Sequence, residues 1–283
     1  EMASHISIVE IAVDKSTHLL DIDDLNAKLS DNTAAVYIEN PSFLGKIEHQ
    51  AEIIVEAAHA HGAEAIVAID PISLGVIKPP GQYGADIVVG SIQPLGIHMN
   101  CGGGLGGFIA SRDEPRYAHE YPTLMISIAE TIQNEKAFSL ALFHQCSYGS
   151  REEGNDWTGN SVYLWTIAAA AYMSLLGPEG FREVGERIIQ QAHYCASLLD
   201  NIDGIKVTPK KGIFKEFVVN FDETGKSVEQ INQILLENEI FGGLDLSDSF
   251  PDLGQSALYC VTEIHTKADL TRLANVLTEA CKK

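Results

Sequence analysis

The chain has 283 residues, of which 45% are hydrophobic and 20% are charged, a composition that predicts a folded protein with a buried core. The formal net charge of −20 argues against a nucleic-acid-binding protein, which would need a basic surface. No run of about 18 apolar residues and no secretory signal pattern occurs, so we expect a cytoplasmic protein with no membrane-spanning segment.

The cysteines and histidines form no recognisable metal or redox motif. Five cysteines are scattered along the chain, and no pair has the short spacing of a zinc or dithiol site. We interpret them as unreactive thiols in a reducing compartment. The ten histidines also lack metal-ligand spacing, so no metal site is predicted.

The first segment reads as the middle of a domain. The chain begins at Glu1, and residues 7–13 alternate like a β-strand with no capping element before them. We therefore expect that an N-terminal portion has been lost, trimmed or placed on another chain.

An alternation of strands and helices follows in the first half. Residues 34–38 predict a short strand, and residues 48–61 predict a helix that ends at Gly62. Apolar runs at residues 65–69 and 87–89 are typical of buried parallel strands. This order predicts an α/β layer with right-handed crossovers.

The second half predicts a helical bridge and then a smaller α/β unit. Two helices are predicted at residues 161–176 and 181–199, separated by Gly177-Pro178. The later elements are strands and helices, predicted at residues 205–207, 214–221, 227–238, 257–262 and 267–281. We place a domain boundary near Gly177, giving a large domain at residues 1–177 and a small one at residues 178–283.

The glycine-rich stretch at residues 102–107 allows two interpretations. Bare backbone amides can approach a phosphate, but no Lys-Ser/Thr follows as in a P-loop. The stretch leads into a strand-like run at residues 108–110 and not into a helix. A tight turn between strands is the favoured interpretation.

Asp70 and Gln93 are the candidate site residues that carry the chemical argument. Asp70 ends a buried strand, where parallel sheets gather their ligands, although Asp before Pro71 is also a common turn signal. In aminotransferase-type pyridoxal-phosphate (PLP) enzymes, such an Asp pairs with the pyridinium nitrogen, and a lysine one strand later binds the cofactor. Gln93 has the spacing of that lysine, but an amide cannot form an imine.

Neighbouring residues offer no replacement for that lysine. Lys78 and Lys136 are interpreted as solvated surface lysines. His98, just after the Gln93-Pro94 turn, is the best-placed histidine for a site, although a structural hydrogen-bonding role is favoured. The predicted site is therefore a degenerate one made of Asp70, Gln93 and His98, with no catalytic residue in this chain.

Several segments, in order over nearly the whole chain, carry a specific resemblance to one family. They are residues 40–45 (NPSFLG), 70–75 (DPISLG), 79–90 (PPGQYGADIVVG), 93–96 (QPLG), 175–180 (LLGPEG), 215–219 (KEFVV), 242–246 (GGLDL) and 260–263 (CVTE). In these segments the sequence resembles the first subunit of glycine dehydrogenase (decarboxylating), the P-protein of the glycine cleavage system in its split form. The resemblance covers the later part of that subunit.

The resemblance implies a fold, a partner and a reaction. It implies an aminotransferase-like α/β fold (PLP fold type I), with the large domain incomplete at its N-terminus and a small C-terminal α/β domain. It also implies a heterotetramer in which a PLP-binding sister subunit holds the cofactor on its lysine. There glycine loses carbon dioxide, and the aminomethyl group passes to a lipoyl carrier protein. This chain would complete and support the sister subunit's site.

One segment departs from the family pattern. At residues 151–161 the family has a basic loop rich in small polar residues, whereas this chain reads REEGNDWTGNS, with Glu153 at a lysine position. Acidic residues there alter the electrostatics of a nearby anion site. Two alternatives therefore stay open: a scaffolding or regulatory pseudoenzyme, and a subunit of a related PLP enzyme with another amino-acid substrate.

Overall fold

The computed structural model describes residues 6–98, 105–121, 125–155 and 162–282. Helix α1 (Ile22–Lys28) is followed by the parallel strands β1 (Ala35–Glu39), β2 (Glu64–Ile69) and β3 (Ile87–Ser91), which lie side by side in that order. Helix α2 (Ala51–Ala60) connects β1 to β2 and packs Ile54, Val55 and Ala58 against the sheet. The predicted order of strand, helix, strand and strand is confirmed.

The prediction of a strand at residues 7–13 is wrong. The segment forms only an isolated bridge between Val13 and Leu20, and residues 6–10 are exposed. Ile8 is 91% exposed, so the alternating pattern has no buried face. Alternation alone cannot make a strand when no neighbouring strand accepts its backbone hydrogen bonds.

The middle of the chain adds an antiparallel edge strand and a hairpin. Strand β4 (Gly107–Ser111) pairs antiparallel with β3 and completes the four-stranded sheet. Helix α3 (Pro115–Ala118) leads to β5 (Met125–Glu130) and β6 (Lys136–Ala141), which pair only with each other, and helix α4 (Ser147–Ser150) follows. Sequence analysis did not predict this hairpin.

Helix α5 (Tyr163–Asp200) joins the two halves of the chain. The two predicted helices are present, but they meet directly at Gly177, whose φ of 58° and ψ of −176° interrupt the helical backbone. A kink at a Gly-Pro pair is expected, because proline removes a helical hydrogen bond. The proposed domain boundary at this residue stays a prediction.

The C-terminal elements form a second sheet covered by helices. Strands β7 (Lys206–Thr208), β8 (Glu216–Asn220), β9 (Leu244–Asp245) and β10 (Ser256–Cys260) are antiparallel in the order β7-β8-β10-β9. Helices α6 (Val228–Glu237) and α7 (Lys267–Cys281), together with the end of α5, cover this sheet. Ser227 and Thr266 begin α6 and α7 with capping boxes.

Candidate functional site

A cavity of about 250 Å³ lies where the carboxyl ends of β1, β2 and β3 meet the start of β8. This edge of a parallel sheet is where α/β folds bind their ligands. The cavity is lined by charged, small polar and apolar side chains from both halves of the chain: Glu39, Pro41, Ser42, Phe43, Ile69, Asp70, Pro71, Ser91, Pro94, Lys215, Glu216 and Leu258.

Asp70 lies in this cavity at the end of β2, as the sequence predicts, and its carboxylate has two separate roles. Oδ1 accepts a hydrogen bond of 2.9 Å from the backbone N–H of Ile72 and so caps the short 3₁₀ turn at Pro71–Gly75. Oδ2 accepts a hydrogen bond from the ammonium group of Lys215. The turn signal and the site interpretation of Asp70 therefore apply to the same side chain.

Lys215 and Glu216 bring a second pair of charges to the cavity from the small sheet. The Lys215 Nζ lies 3.6 Å from Glu216 Oε1, and both side chains are about one-fifth exposed, at 20% and 21%. Burial opposes the charged form of Lys215, but the carboxylates of Asp70 and Glu216 outweigh it and raise its pKa. Burial also raises the pKa of Glu216, and the nearby ammonium of Lys215 offsets this only in part.

The loop after β1 holds the start of β8 against the cavity. The Asn40 side chain makes two hydrogen bonds of 3.0 Å with the backbone of Glu48. Asn40 Nδ2 donates to the Glu48 carbonyl, and the Glu48 N–H donates to Asn40 Oδ1. This closes the loop and presents Gly45, whose φ is +91°. A Cβ at Gly45 would lie 1.8 Å from the carbonyl oxygen of Glu216, so only glycine allows the two backbones to approach this closely.

Gln93 and His98 do not join Asp70 in the cavity lining. The Gln93 amide Nε2 donates a 2.5 Å hydrogen bond to the carbonyl of Ile97 and closes the turn after β3. Its neighbours Ser91 and Pro94 do line the cavity. His98 is exposed, at the end of a described segment. The cofactor-related roles expected for Asp70, Gln93 and His98 stay predictions.

Sequence analysis missed Lys215, Glu216 and Glu39 as cavity residues. It considered Lys78 and Lys136 as alternative lysines, and neither lines the cavity. Lys78 pairs with Glu52 at 2.9 Å on the surface, and Lys136 is exposed on the hairpin. The KEFVV segment could have indicated these residues, because it places a lysine and a glutamate at the start of an apolar strand.

Two sequence predictions fall wholly or partly outside the described residues. The glycine-rich stretch is described only from residue 105 onward, where Gly107 begins β4. Of the divergent loop at residues 151–161, only residues 151–155 are described. There Asn155 Nδ2 donates to the carbonyls of His119 and Tyr121 at 2.9 and 3.1 Å, which fastens the start of the loop to the segment after α3.

Neither a membrane-spanning helix nor a cluster of metal ligands occurs within the described ranges. Among residues 6–98, 105–121, 125–155 and 162–282, no helix has the length and apolar character needed to cross a bilayer. In the same ranges, no group of three or more His, Cys, Asp or Glu side chains is arranged to hold a metal ion.

Sequence comparison places the whole chain in one family. The sequence model of the family "Glycine cleavage system P-protein" matches residues 3–277. A probable glycine dehydrogenase (decarboxylating) subunit 1 from Staphylothermus marinus is 38% identical over 97% of this chain, and its namesake from Saccharolobus solfataricus is 37% identical over 98%. The chain spans 59% of the length of each of these relatives.

Solved structures show the same relationship and extend it to the fold. A crystal structure of glycine decarboxylase (P-protein) of the glycine cleavage system, in inhibitor-bound form, matches 89% of this chain and 56% of its own, with a TM-score of 0.81 and 32% identity. A NifS-like protein matches 98% of this chain and 69% of its own, with a TM-score of 0.67 and 16% identity, which shows a shared fold alone.

The fold is thus the aminotransferase-like fold type I of PLP enzymes, and the sequence prediction of its class is confirmed. The resemblance noted in the sequence is confirmed as well. This chain belongs to the glycine cleavage system P-protein family.

Proposed function

We propose that this chain is the subunit of a PLP-dependent glycine decarboxylase that lacks the cofactor-binding lysine. In this role it supports the decarboxylation of glycine and the transfer of the aminomethyl group to a lipoyl carrier protein. The observation that carries the proposal is the family match over residues 3–277. It is combined with the sequence prediction that an amide, Gln93, takes the place of the cofactor-binding lysine. The chain alone is inactive in this proposal.

The residues in and beside the cavity do not fit PLP, which supports a cofactor held by the partner. Gln93 cannot form the covalent link, and its amide already bonds the Ile97 carbonyl. The carboxylate of Asp70, which would face a pyridinium nitrogen, is paired with Lys215. Three carboxylates and one ammonium line the cavity, and this balance opposes a phosphate dianion. No step of the reaction is assigned to this cavity.

Exposed apolar side chains on the β5–β6 hairpin support a paired assembly. On one face of the hairpin, Ile126 lies opposite Leu140 and Ile128 lies opposite Phe138. Their exposures range from 58% for Leu140 to 81% for Phe138. Contiguous apolar side chains of this kind are typical of protein interfaces. The proposed occupant is a PLP-binding sister subunit, with two copies of each subunit forming a heterotetramer in the cytoplasm.

The test is to purify the chain with and without a PLP-binding sister subunit of the same family. We expect PLP absorbance and glycine–bicarbonate exchange only in the co-purified pair. If the pair lacks both, the proposal fails. A pair that holds PLP but exchanges bicarbonate with another amino acid would instead favour a different substrate, as the divergent loop at residues 151–161 allows. A stable pair without PLP would favour a scaffolding or regulatory pseudoenzyme.

A further inference from the structure

Lys215 reaches the cavity from a segment whose backbone is bonded to the loop after β1. Lys46 and Ile213 form a β-bridge, the N–H of Ile47 donates to the carbonyl of Gly212 at 2.7 Å, and the N–H of Phe214 donates to the carbonyl of Gly45 at 3.2 Å. These contacts fix the backbone immediately before the lysine. The Lys215 ammonium therefore meets Asp70, 145 residues earlier in the chain, in a preset geometry.

The ion pair is largely withdrawn from solvent. The side chain of Asp70 is 11% exposed and that of Lys215 is 20% exposed. Charges in such a place interact more strongly than on the surface, and an unpaired one is costly. Glu39 and Glu216 also line the cavity, so without Lys215 its lining would carry carboxylates and no cation. The cavity is therefore built to surround a positive charge.

We propose that Lys215 is a positioning residue. Its ammonium group occupies the position beside the Asp70 carboxylate that the ring of a bound cofactor would need. Because Lys215 occupies this position, and because residue 93 has no amine, the cofactor is excluded from this cavity. The same ion pair joins the small sheet to the large one. The inference rests on the proposed function only in treating the cavity as the counterpart of a cofactor cavity.

The first test is chemical rescue of the 283-residue chain. Lys215→Ala leaves the Asp70 carboxylate unpaired, so we expect a lowered melting temperature that ethyl- or propylammonium chloride restores in a saturable way. Sodium chloride at equal ionic strength should not restore it. In Asp70→Asn/Lys215→Ala the rescue should disappear, because the alkylammonium ion has lost its partner. Lys46→Ala is the matched control. The Lys46 ammonium group donates to the carbonyl of Lys211, where the loop after β1 contacts the segment before β8, but Lys46 does not line the cavity.

A second measurement does not require a stable Lys215 variant. Acetylation of each lysine in the folded chain is followed by mass spectrometry, since only the neutral amine reacts. We expect Lys215 to react at least about tenfold more slowly than the exposed Lys136, because its ammonium group is paired with Asp70 and largely withdrawn from solvent. In Asp70→Asn it should react faster than in the unsubstituted chain.

Equal rates for Lys215 and Lys136, or equal amine rescue of the Lys46→Ala and Lys215→Ala chains, would overturn the inference. Neither readout depends on glycine turnover. The glycine–bicarbonate exchange assay can therefore fail while the cation site stands, and the reverse also holds.

Discussion

The Cβ position of Gly45 lies 1.8 Å from the carbonyl oxygen of Glu216, closer than any side-chain carbon can approach. Gly45 ends the NPSFLG segment, and Glu216 belongs to the KEFVV segment. Two of the family's sequence signatures thus meet at one point, beside the cavity. Their shared role is to bring the backbones of the large and small sheets into contact.

Gly45→Ala should therefore be severely destabilising. The new methyl group would displace the start of β8, and we expect a loss of unfolding free energy above about 4 kcal/mol or failure to fold. Gly62→Ala is the matched control, because Gly62 also has a positive φ, +71°, but nothing within 4 Å of its Cβ position. It should lose only about 1–2 kcal/mol. Denaturant unfolding of both variants measures the difference. Equal losses would show that the contact between residue 45 and the Glu216 carbonyl does not contribute to the loss of stability.

Gly75 makes a comparable close contact with helix α5. A Cβ there would lie 2.4 Å from the carbonyl oxygen of Phe181, so Gly75→Ala should push the Pro71–Gly75 turn away from the helix at a cost of about 1–3 kcal/mol. Gly81→Ala, in the 3₁₀ turn Pro80–Tyr83, meets nothing within 4 Å and should be neutral or stabilising by up to about 1 kcal/mol. Thermal unfolding should show a loss of stability for Gly75→Ala and none for Gly81→Ala, and a stabilised Gly75→Ala chain would contradict this prediction.

Gln93 should matter for the turn after β3 even though it binds no cofactor in this proposal. Gln93→Glu replaces the donor of the 2.5 Å bond to the Ile97 carbonyl with a carboxylate, which should cost about 1–3 kcal/mol of unfolding free energy. Gln82→Glu makes the same change at an exposed position and should stay within about 0.5 kcal/mol of the unsubstituted chain. Urea unfolding distinguishes the two variants. A Gln93→Glu chain with the same unfolding free energy as the unsubstituted chain would contradict the structural role of Gln93.

Much of the fold could be predicted because its signals are local. Strands β1 to β3 appear as apolar runs, and α6 and α7 begin at recognisable caps. The hairpin of β5 and β6 was missed although Ile126 and Ile128, like Phe138 and Leu140, alternate with small residues along their strands. The Lys215–Asp70 pair offers no such local pattern. A contact across 145 residues leaves no trace in local spacing and emerges only when two sheets are brought together.

Asp86 should contribute stability that depends on pH. Its carboxylate accepts hydrogen bonds of 2.7 Å from the Ala65 N–H and from His59 Nε2, and Arg112 Nε lies 2.9 Å away. Burial opposes its charge, but these partners outweigh burial and lower its pKa. The unfolded chain then binds more protons, so this stability is present above the ordinary Asp pKa of about 3.9 and is lost as pH falls through the lowered value. Asp86→Asn should be less stable at neutral pH, with the deficit shrinking in acid.

Glu216 should show the opposite dependence. Burial raises its pKa, so the folded chain binds more protons than the unfolded chain above the ordinary Glu value of about 4.3. Stability attributable to this group therefore falls as pH rises from that value through the raised pKa, and it stays lower beyond it. Glu216→Gln removes the buried charge and should equal or exceed the unsubstituted chain in stability at neutral pH.

The two carboxyl groups are best compared in one series of unfolding measurements across pH. The advantage of Glu216→Gln over the unsubstituted chain should vanish in acid, where Glu216 is protonated in both states, just as the deficit of Asp86→Asn shrinks there. A Glu216→Gln chain that is less stable at neutral pH and recovers in acid would mean that the charged form of Glu216 is favoured by Lys215. Lys215 would then stabilise the charged carboxylates of both Asp70 and Glu216.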